Sequence, residues 1–168
     1  MIIKEKLGNI NSFPNNNKNI DWLDMEWHET NKRILHKKTR SGKEVRMKFL
    51  NENQNLTQGD IIYEDSETII AIDIQPCETI VIKPKTMFEM AAICYEIGNK
   101  HLPLFLYEDE LLIAYEAPLF NLLTSQGYEV NKENRKLINP LKTSVASHAH
   151  NGSESLFSKI MKLSTASE

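Results

Sequence analysis

Cysteine is scarce in this 168-residue sequence, and long apolar runs are missing from it. Its two cysteines, Cys77 and Cys94, lie too far apart for a Cys-x-x-Cys zinc motif and are too few for a disulfide framework. No apolar run approaches the roughly 18 residues that suggest a membrane span, and residues 1–6 do not have the layout of a signal peptide. These absences predict a protein of the reducing cytoplasm that does not contact a membrane.

A basic excess is also missing. Lysine and arginine number 20 and aspartate and glutamate 23, which gives a net charge of -3 and a pI near 6.0. Nucleic-acid binding generally requires a clear excess of positive charge, so no nucleic-acid partner is expected. The sequence also has no His-Glu-x-x-His cluster, Gly-rich phosphate loop or Ser-His-Asp order. It therefore predicts a protein without catalytic activity.

The N-terminal part of the sequence has the texture of β-strands. Residues 34–49 have the pattern of a hairpin whose turn lies at Ser41-Gly42, and charged turns lead into further apolar runs from Ile61 and from Ile69. No helical period occurs before residue 85. We therefore expect residues 1–75 to form an all-β domain, either a compact sandwich or a barrel.

The texture changes after Pro76. A β-branched strand at 78–83 precedes Thr86-x-x-Glu89, which has the form of a helix capping box. The helix that follows is expected to bury one apolar face and to end at Gly98 in the left-handed conformation. The residues of that predicted face are Met87, Met90, Ala91, Cys94 and Ile97.

The rest of the second part completes a β-α-β-β-α-β order, which is the ferredoxin-like plan. Two strands follow the first helix, and a second helix begins near Pro118 and ends at Gly127, before a last extended segment. The predicted fold class is thus α+β, with the all-β domain followed by a ferredoxin-like βαββαβ domain over residues 76–143. Residues 144–168 have no periodicity and are interpreted as a flexible tail.

Positive charge is concentrated in the hairpin of the N-terminal domain. This pattern is typical of the solvated outer face of a two-layer sheet, and docking of an acidic partner protein is the alternative. Both interpretations stay open at this point. The cations are Lys32, Arg33, Lys37, Lys38, Arg40, Lys43, Arg46 and Lys48.

His101 is the residue that the pattern singles out for metal binding. It follows the predicted end of the first helix, where unsatisfied carbonyl groups carry partial negative charge and favour a cation. A lone histidine is more often structural or merely exposed. The tail, however, contains His148-Ala149-His150, and an extended His-x-His pair can place both rings on one side of the chain. His101, His148 and His150 are therefore the candidate metal ligands.

The number of available ligands refines this prediction. Ni(II) takes about four to six ligands and accepts nitrogen donors well, whereas one chain offers only these three plausible histidines. If His101 lies on a two-fold axis, a homodimer brings three imidazoles from each chain, six in all, to one ion. Such a site depends on a second copy of the chain, unlike a catalytic zinc site, which holds three ligands in a rigid pocket.

Several segments together resemble one family. Residues 93–101, Ile-Cys-Tyr-Glu-Ile-Gly-Asn-Lys-His, are similar to the signature of UreE, the urease accessory nickel metallochaperone. Leu56-x-x-Gly59-Asp60 and the turn at 39–44 resemble the N-terminal domain of that family, and the resemblance covers most of residues 20–137. One departure is Lys100, where the family has arginine; lysine keeps the charge and loses the planar fork.

The resemblance implies an N-terminal β domain that binds peptides or partner proteins and a ferredoxin-like domain that binds metal and dimerises. It implies a homodimer with nickel at the two-fold axis, held by His101 of both chains. The tail histidines, here His148 and His150, then help to bind the ion or pass it on. Ni(II) is a cargo, and Zn(II) and Cu(II) are further ions for the same site. The implied function is nickel delivery to the urease activation complex, chiefly through the GTPase UreG.

Two functions of other classes stay open from the residues alone. One is a metal-responsive regulatory or protein-binding module, with the basic hairpin as its docking face. The other is a metal-dependent hydrolase that uses His101 with acidic residues, although the sequence shows no convergent carboxylates. Because the tail has only two histidines, few nickel ions per dimer are expected, and delivery rather than storage.

Overall fold

The computed structural model describes residues 1–12, 18–49 and 55–141. Strands dominate the part before residue 75, where they form a three-stranded and a four-stranded sheet. The strands are β1 (Ile2–Ile3), β2 (Gly8–Asn9), β3 (Asn19–Met25), β4 (Ile34–Lys38), β5 (Glu44–Lys48), β6 (Asp60–Glu64) and β7 (Thr68–Ile74). Their spatial order is β1-β5-β4 in one sheet and β2-β6-β7-β3 in the other.

The two N-terminal sheets share one apolar core. In β5, Val45 and Met47 are buried in this core while the other three residues are exposed, because successive side chains of a strand point to opposite faces. Leu23 and Met25 of β3 are buried in the same core from the other sheet. Two sheets that face each other across one core form a sandwich, which is one of the two predicted architectures. The short 3-10 turn Trp27–Glu29 is a departure from the predicted absence of helical structure.

The C-terminal part alternates strands and helices. Its elements are β8 (Cys77–Ile82), α1 (Met87–Asn99), β9 (Phe105–Tyr107), β10 (Glu110–Ala114), α2 (Ala117–Ser125) and β11 (Val130–Arg135). The sheet has the order β11-β8-β10-β9, and its neighbouring strands are antiparallel. The predicted β-α-β-β-α-β succession is present, and a sheet-rich structure with two helices agrees with the predicted α+β class.

Both helices pack on one face of the C-terminal sheet. Ile80 and Ile82 of β8 belong to the core cluster under the helices, whereas Val81 between them points to the opposite face. On that opposite face the Trp27 and Phe105 rings meet edge to face, with their centroids 5.6 Å apart. The N-terminal part therefore contacts the sheet face that the helices leave open. Neither helix in the described parts of the chain is long and apolar enough to cross a bilayer.

The buried face of α1 differs from the predicted one. Ile93 and Ile97 are its fully buried residues, and Cys94 is partly buried beside them. Met87 is 83% exposed and Ala91 is also exposed, so their predicted burial is wrong. The stripe that faces the sheet has i, i+3, i+4 and i+7 spacing and includes the large β-branched Ile93. It begins one helical turn later than the predicted stripe.

Residues 136–141, which follow the last strand, make noncovalent contacts with the N-terminal part of the chain. The Lys136 ammonium lies 2.5 Å from the Asp73 carboxylate. The Thr57 hydroxyl donates a hydrogen bond to the side-chain oxygen of Asn139, at 3.2 Å. Ile138 packs against the core of the N-terminal sandwich. This segment, although it follows the C-terminal sheet in sequence, is therefore fixed to the N-terminal sheets.

The Asp73 carboxylate is the anion in the contact between residues 136–141 and the N-terminal sheets. Its carboxylate accepts hydrogen bonds from Lys136 at 2.5 Å, Arg40 at 2.5 Å and Gln58 at 2.9 Å. Partial burial acts to raise the pKa of the Asp73 carboxyl, but these hydrogen bonds, led by that from Lys136, outweigh it and lower the pKa from 3.8 to about 2. The carboxyl therefore stays ionised in the folded chain well into the acid range.

We expect Asp73→Asn to lower the free energy of unfolding by about 1.5–3 kcal/mol near neutral pH, because Lys136 and Arg40 lose a charged hydrogen-bond partner. A carboxyl with a lowered pKa contributes stability above its unfolded pKa, and the contribution is lost as the pH falls toward about 2. The difference between variant and wild type should therefore shrink over that range. Urea unfolding at a series of pH values measures it. Asp109→Asn, in the exposed turn before β10, is the control, and an equal loss in both variants would contradict the role of Asp73.

Candidate metal centre

His101 lies one residue beyond the C-cap of α1, which is Lys100, and its φ angle is +55°. The His101 N–H donates to the Gly98 carbonyl at 3.0 Å, and the Leu102 N–H donates to the Ile97 carbonyl at 3.4 Å. These two bonds define a Schellman motif, in which the first residue after the C-cap takes the left-handed conformation. This motif therefore fixes the backbone position from which the His101 side chain extends.

The predicted helix end at Gly98 is wrong by three residues. Gly98 is helical, and His101 is the left-handed residue in its place. The position of the helix end is explained by the apolar contact that accompanies a Schellman motif. The residue that follows the left-handed one makes this contact. With His101 left-handed that residue is Leu102, which packs against the core under the helices. A left-handed Gly98 would have placed the polar Asn99 there instead.

The second helix ends in the same motif, but with glycine. Gly127 has a φ of +83°, its N–H donates to the Thr124 carbonyl at 3.0 Å, and the Tyr128 N–H donates to the Leu123 carbonyl at 3.3 Å. The predicted end at Gly127 is thus confirmed. Glycine takes this conformation freely, whereas a residue with a Cβ is disfavoured by about 1–2 kcal/mol. His101 holds a glycine-type position under strain, and strained residues of this kind cluster at functional sites.

The surface around His101 is polar. Asn99, Lys100 and His101 are exposed. The Lys100 ammonium lies 3.2 Å from the Glu96 carboxylate one turn earlier in α1, so the cation next to His101 is paired. The carbonyl groups at the end of α1 carry partial negative charge, which favours a metal ion there. Across residues 1–12, 18–49 and 55–141 of one chain, no group of three or more His, Cys, Asp or Glu side chains could hold a metal ion.

The predicted ligands His148 and His150 lie outside the described residues. The chain that leads to them starts close to His101, because the Leu141 N–H donates to the Leu104 carbonyl at 2.7 Å. Leu104 is three residues from His101, which keeps their Cα atoms within about 11 Å, and seven extended residues from Leu141 to His148 span at most about 25 Å. Covalent geometry therefore allows the two predicted tail ligands to reach His101.

The other histidines and the cysteines have different surroundings. His28 contacts a tryptophan ring edge-on, and a ring nitrogen of His36 lies 3.8 Å from a carboxylate oxygen of Glu44. Burial raises the pKa of the Cys77 thiol, and burial likewise raises that of Cys94. Both thiols are therefore protonated near neutral pH when no cation is bound to them.

An exposed apolar face on α1 is a candidate functional feature that the sequence pattern missed. It consists of Met87, Phe88, Ala91 and Tyr95, and is called the α1 apolar face below. Met87 is 83%, Phe88 81% and Tyr95 73% exposed. Phe88 and Tyr95 are seven residues apart, which is two helical turns, so they lie on the same side of α1. Both lie outside the predicted buried stripe, and this pattern could have indicated a second apolar face. Contiguous exposed apolar side chains mark interaction sites, and this face lies on the helix that ends at His101.

Comparison with known proteins extends these observations. The family model described as "UreE urease accessory protein, N-terminal domain" matches residues 3–75, and the model described as "UreE urease accessory protein, C-terminal domain" matches residues 77–156. The chain is 47% identical over 163 residues to the urease accessory protein UreE of Flavobacterium johnsoniae, covering 97% of the chain and 99% of that protein. It is 35% identical over 153 residues to UreE of Acetivibrio thermocellus, covering 91% and 99%. It is 40% identical over 149 residues to UreE of Haemophilus influenzae, covering 86% and 80%.

Proposed function

The chain belongs to the UreE family of urease accessory proteins, and from this premise we propose that it binds Ni(II) through His101 and delivers it during urease maturation. The family has a role in urease maturation and consists of accessory chaperones, not enzymes. The expectation that this chain is not an enzyme is confirmed on that ground. The resemblance found on residues 93–101 and on the N-terminal domain is confirmed as well.

The backbone conformation of His101 is the observation that carries the nickel proposal. A left-handed residue with a Cβ is disfavoured, yet the end of α1 has histidine where the end of α2 has glycine. The side chain that occupies this position is exposed and carries a nitrogen donor. The packing of Leu102 requires a left-handed residue at this position, and glycine would meet that requirement without strain. A ligand role accounts for the choice of an exposed histidine instead.

The α1 apolar face supports a homodimer with the metal on its two-fold axis. Phe88 and Tyr95 are exposed aromatic side chains on one side of a helix, and such side chains are enriched in interface cores. A two-fold interface uses the same surface on both subunits, so pairing of the two α1 apolar faces brings α1 of one chain beside α1 of the other. We propose that the two helices run parallel to each other along the axis, because this arrangement, unlike an antiparallel pair, brings the two copies of His101, each at the end of α1, together to share one ion.

The proposed cargo is Ni(II), with Zn(II) and Cu(II) as competitors for the same imidazoles. Imidazole suits all three ions, and the intrinsic affinity order places Cu(II) above Ni(II). Two copies of His101 leave most of the coordination positions of nickel open. We assign positions among them to His148 and His150 of the two tails, which are within chain reach of His101. Ligands carried on a tail can detach one at a time, which suits an ion that has to be passed on.

The proposal assigns a separate role to each part of the chain. Residues 1–75 are assigned to partner binding, residues 76–143, with their ferredoxin-like plan, to metal binding and dimerisation, and residues 144–168 to a tail that carries His148 and His150. The receiving partner is a UreG-type GTPase within the urease accessory complex, and the location is the cytoplasm. The family match supports this proposal, and so does the position of His101 at the far end of the helix that bears the proposed dimer face.

Nickel titration of the dimer tests the proposal. We expect the full-length chain to bind half an equivalent of nickel per chain at its tightest site. The double variant His148→Ala/His150→Ala should remain dimeric and bind that nickel about tenfold more weakly, a loss of about 1.4 kcal/mol. Calorimetric titration and sedimentation measure these results, and Ser153→Ala/Ser155→Ala is the control in the same tail. One nickel ion per chain, with an affinity that ignores the tail histidines, would overturn the shared site.

A further inference from the structure

The outer face of the sheet β1-β5-β4 combines apolar and cationic side chains. Because side chains alternate along a strand, Arg46 and Lys48 of β5 are exposed on the side opposite the buried Val45 and Met47. The register places Arg46 between Ile2 of β1 and a residue of β4 on its other side. This surface is called the outer sheet face below.

Two isoleucines lie on the outer sheet face without burial. Ile2 is 57% exposed and Ile34 is 65% exposed. Ile2 is the cross-strand neighbour of Arg46, and Ile34 is the cross-strand neighbour of Lys48. Each apolar side chain is thus adjacent to a cation. An apolar centre beside charged groups is the anatomy of a protein-binding surface.

The charge of this face is opposite in sign to that of the whole chain. Its cations are Lys38, Arg46 and Lys48, and its one strand carboxylate is Glu44. Lys38 lies 3.8 Å from Glu44, whereas Arg46 and Lys48 make no ion pair with any residue in the described ranges. The chain as a whole carries a net charge of -3. A local cationic surface on an acidic protein selects for a negatively charged partner.

The same charges exclude two occupants that the chain itself could supply. A second copy of the outer sheet face would bring cations against cations, which is repulsive. Residues 142–168 contain three lysines and two glutamates, so their side chains offer no acidic excess. The affinity for nucleic acid rises with the number of phosphates that are neutralised, and three cations neutralise few of them. An acidic segment of another protein is the occupant that remains.

We propose that the outer sheet face docks an extended segment of a partner protein in which acidic and apolar side chains share one side. Carboxylates would meet Arg46 and Lys48, and apolar side chains would cover Ile2 and Ile34. This inference deepens the partner-binding role that the proposed function gives to residues 1–75, and it rests on that role. Of the two interpretations of the basic hairpin, the proposal favours the docking surface for Lys38, Arg46 and Lys48.

A designed peptide tests the proposal directly. In an extended chain every second side chain faces the same way, so a synthetic Glu-Ser-Leu-Ser repeat places glutamate and leucine on one side. We expect this peptide, labelled with a fluorophore, to bind the full-length dimer at low salt in an anisotropy titration. Arg46→Glu/Lys48→Glu should weaken binding by about tenfold or more, and Ile34→Ser should weaken it without any change of charge.

Matched controls separate docking from general attraction. Lys85→Glu/Lys132→Glu makes the same charge change on the C-terminal part and should leave peptide binding unchanged. A Lys-Ser-Leu-Ser repeat should not bind. Equal binding of a Glu-Ser repeat without leucine, or of a DNA oligonucleotide, would overturn the proposal, as would equal loss in both double variants or no binding to wild type. Nickel titration of Arg46→Glu/Lys48→Glu should match wild type, so failure here leaves the nickel proposal intact.

Discussion

His101→Ala is expected to abolish the tight nickel site of the dimer. Each dimer would lose two imidazoles at once, because one substitution changes both chains, and the remaining tail histidines would have no fixed ligand to assemble around. We expect the affinity for nickel to fall by about a hundredfold or more, which is about 2.8 kcal/mol. Calorimetric titration of the dimer measures this loss. Nickel binding at wild-type affinity by the alanine variant would contradict the central role of His101.

His101→Gly is the matched variant that separates ligand loss from structural damage. Glycine takes the left-handed conformation without strain but is more flexible in the unfolded chain, so stability should be unchanged or rise by up to about 1 kcal/mol. Nickel affinity should nevertheless fall as far as in His101→Ala. Urea unfolding and the same titration give the two readouts. A glycine variant that is clearly less stable than wild type would show that the imidazole has a structural role.

Phe88→Glu/Tyr95→Glu is expected to convert the dimer to monomers and to remove the tight nickel site while His101 is intact. Two carboxylates on the α1 apolar face would have to be desolvated and brought against their own copies across the two-fold axis, which costs several kcal/mol. Both positions are exposed, so the fold of each chain should persist. Sedimentation velocity gives the oligomeric state, and calorimetric titration gives the nickel affinity.

Leu7→Glu is the control for the dimer variant. Leu7 is 47% exposed and lies in the N-terminal part, away in sequence from α1. The same introduction of charge at an exposed apolar side chain should there leave the dimer and its nickel site unchanged. A double variant of α1 that stays dimeric would place the dimer interface elsewhere. A monomer that keeps the tight site would mean that one chain suffices for nickel.

Much of the fold follows from local patterns that the sequence shows directly. The hairpin of β4 and β5, the cap at Thr86 and the helix end at Gly127 lie where turn and capping residues predict them. The short strands β1 and β2 were not predicted, because two-residue strands have no periodicity to detect. Their place depends on pairing with β5 and β6, which lie far along the chain.

The site was predicted less completely than the fold. His101 was singled out correctly as an exposed residue at the end of α1, but its left-handed backbone was assigned to Gly98. Glycine preference is a local rule, whereas the helix end is decided by the apolar contact of Leu102 with the core. Met87 was assigned to the buried face for a similar reason, since spacing alone cannot say which of two apolar stripes on α1 meets the sheet.

In the proposed nickel site, the left-handed backbone of His101 would also limit the class of ion that binds. Among residues other than glycine, this conformation is enriched in Asn, Asp and His. Asn and Asp offer oxygen donors, which suit Mg, Ca and Mn, while His offers the nitrogen that suits nickel, copper and zinc. Cysteine is not in the enriched group. A change of ligand that the backbone tolerates would therefore move the proposed site toward hard ions, whereas histidine would keep it suited to nickel, copper and zinc.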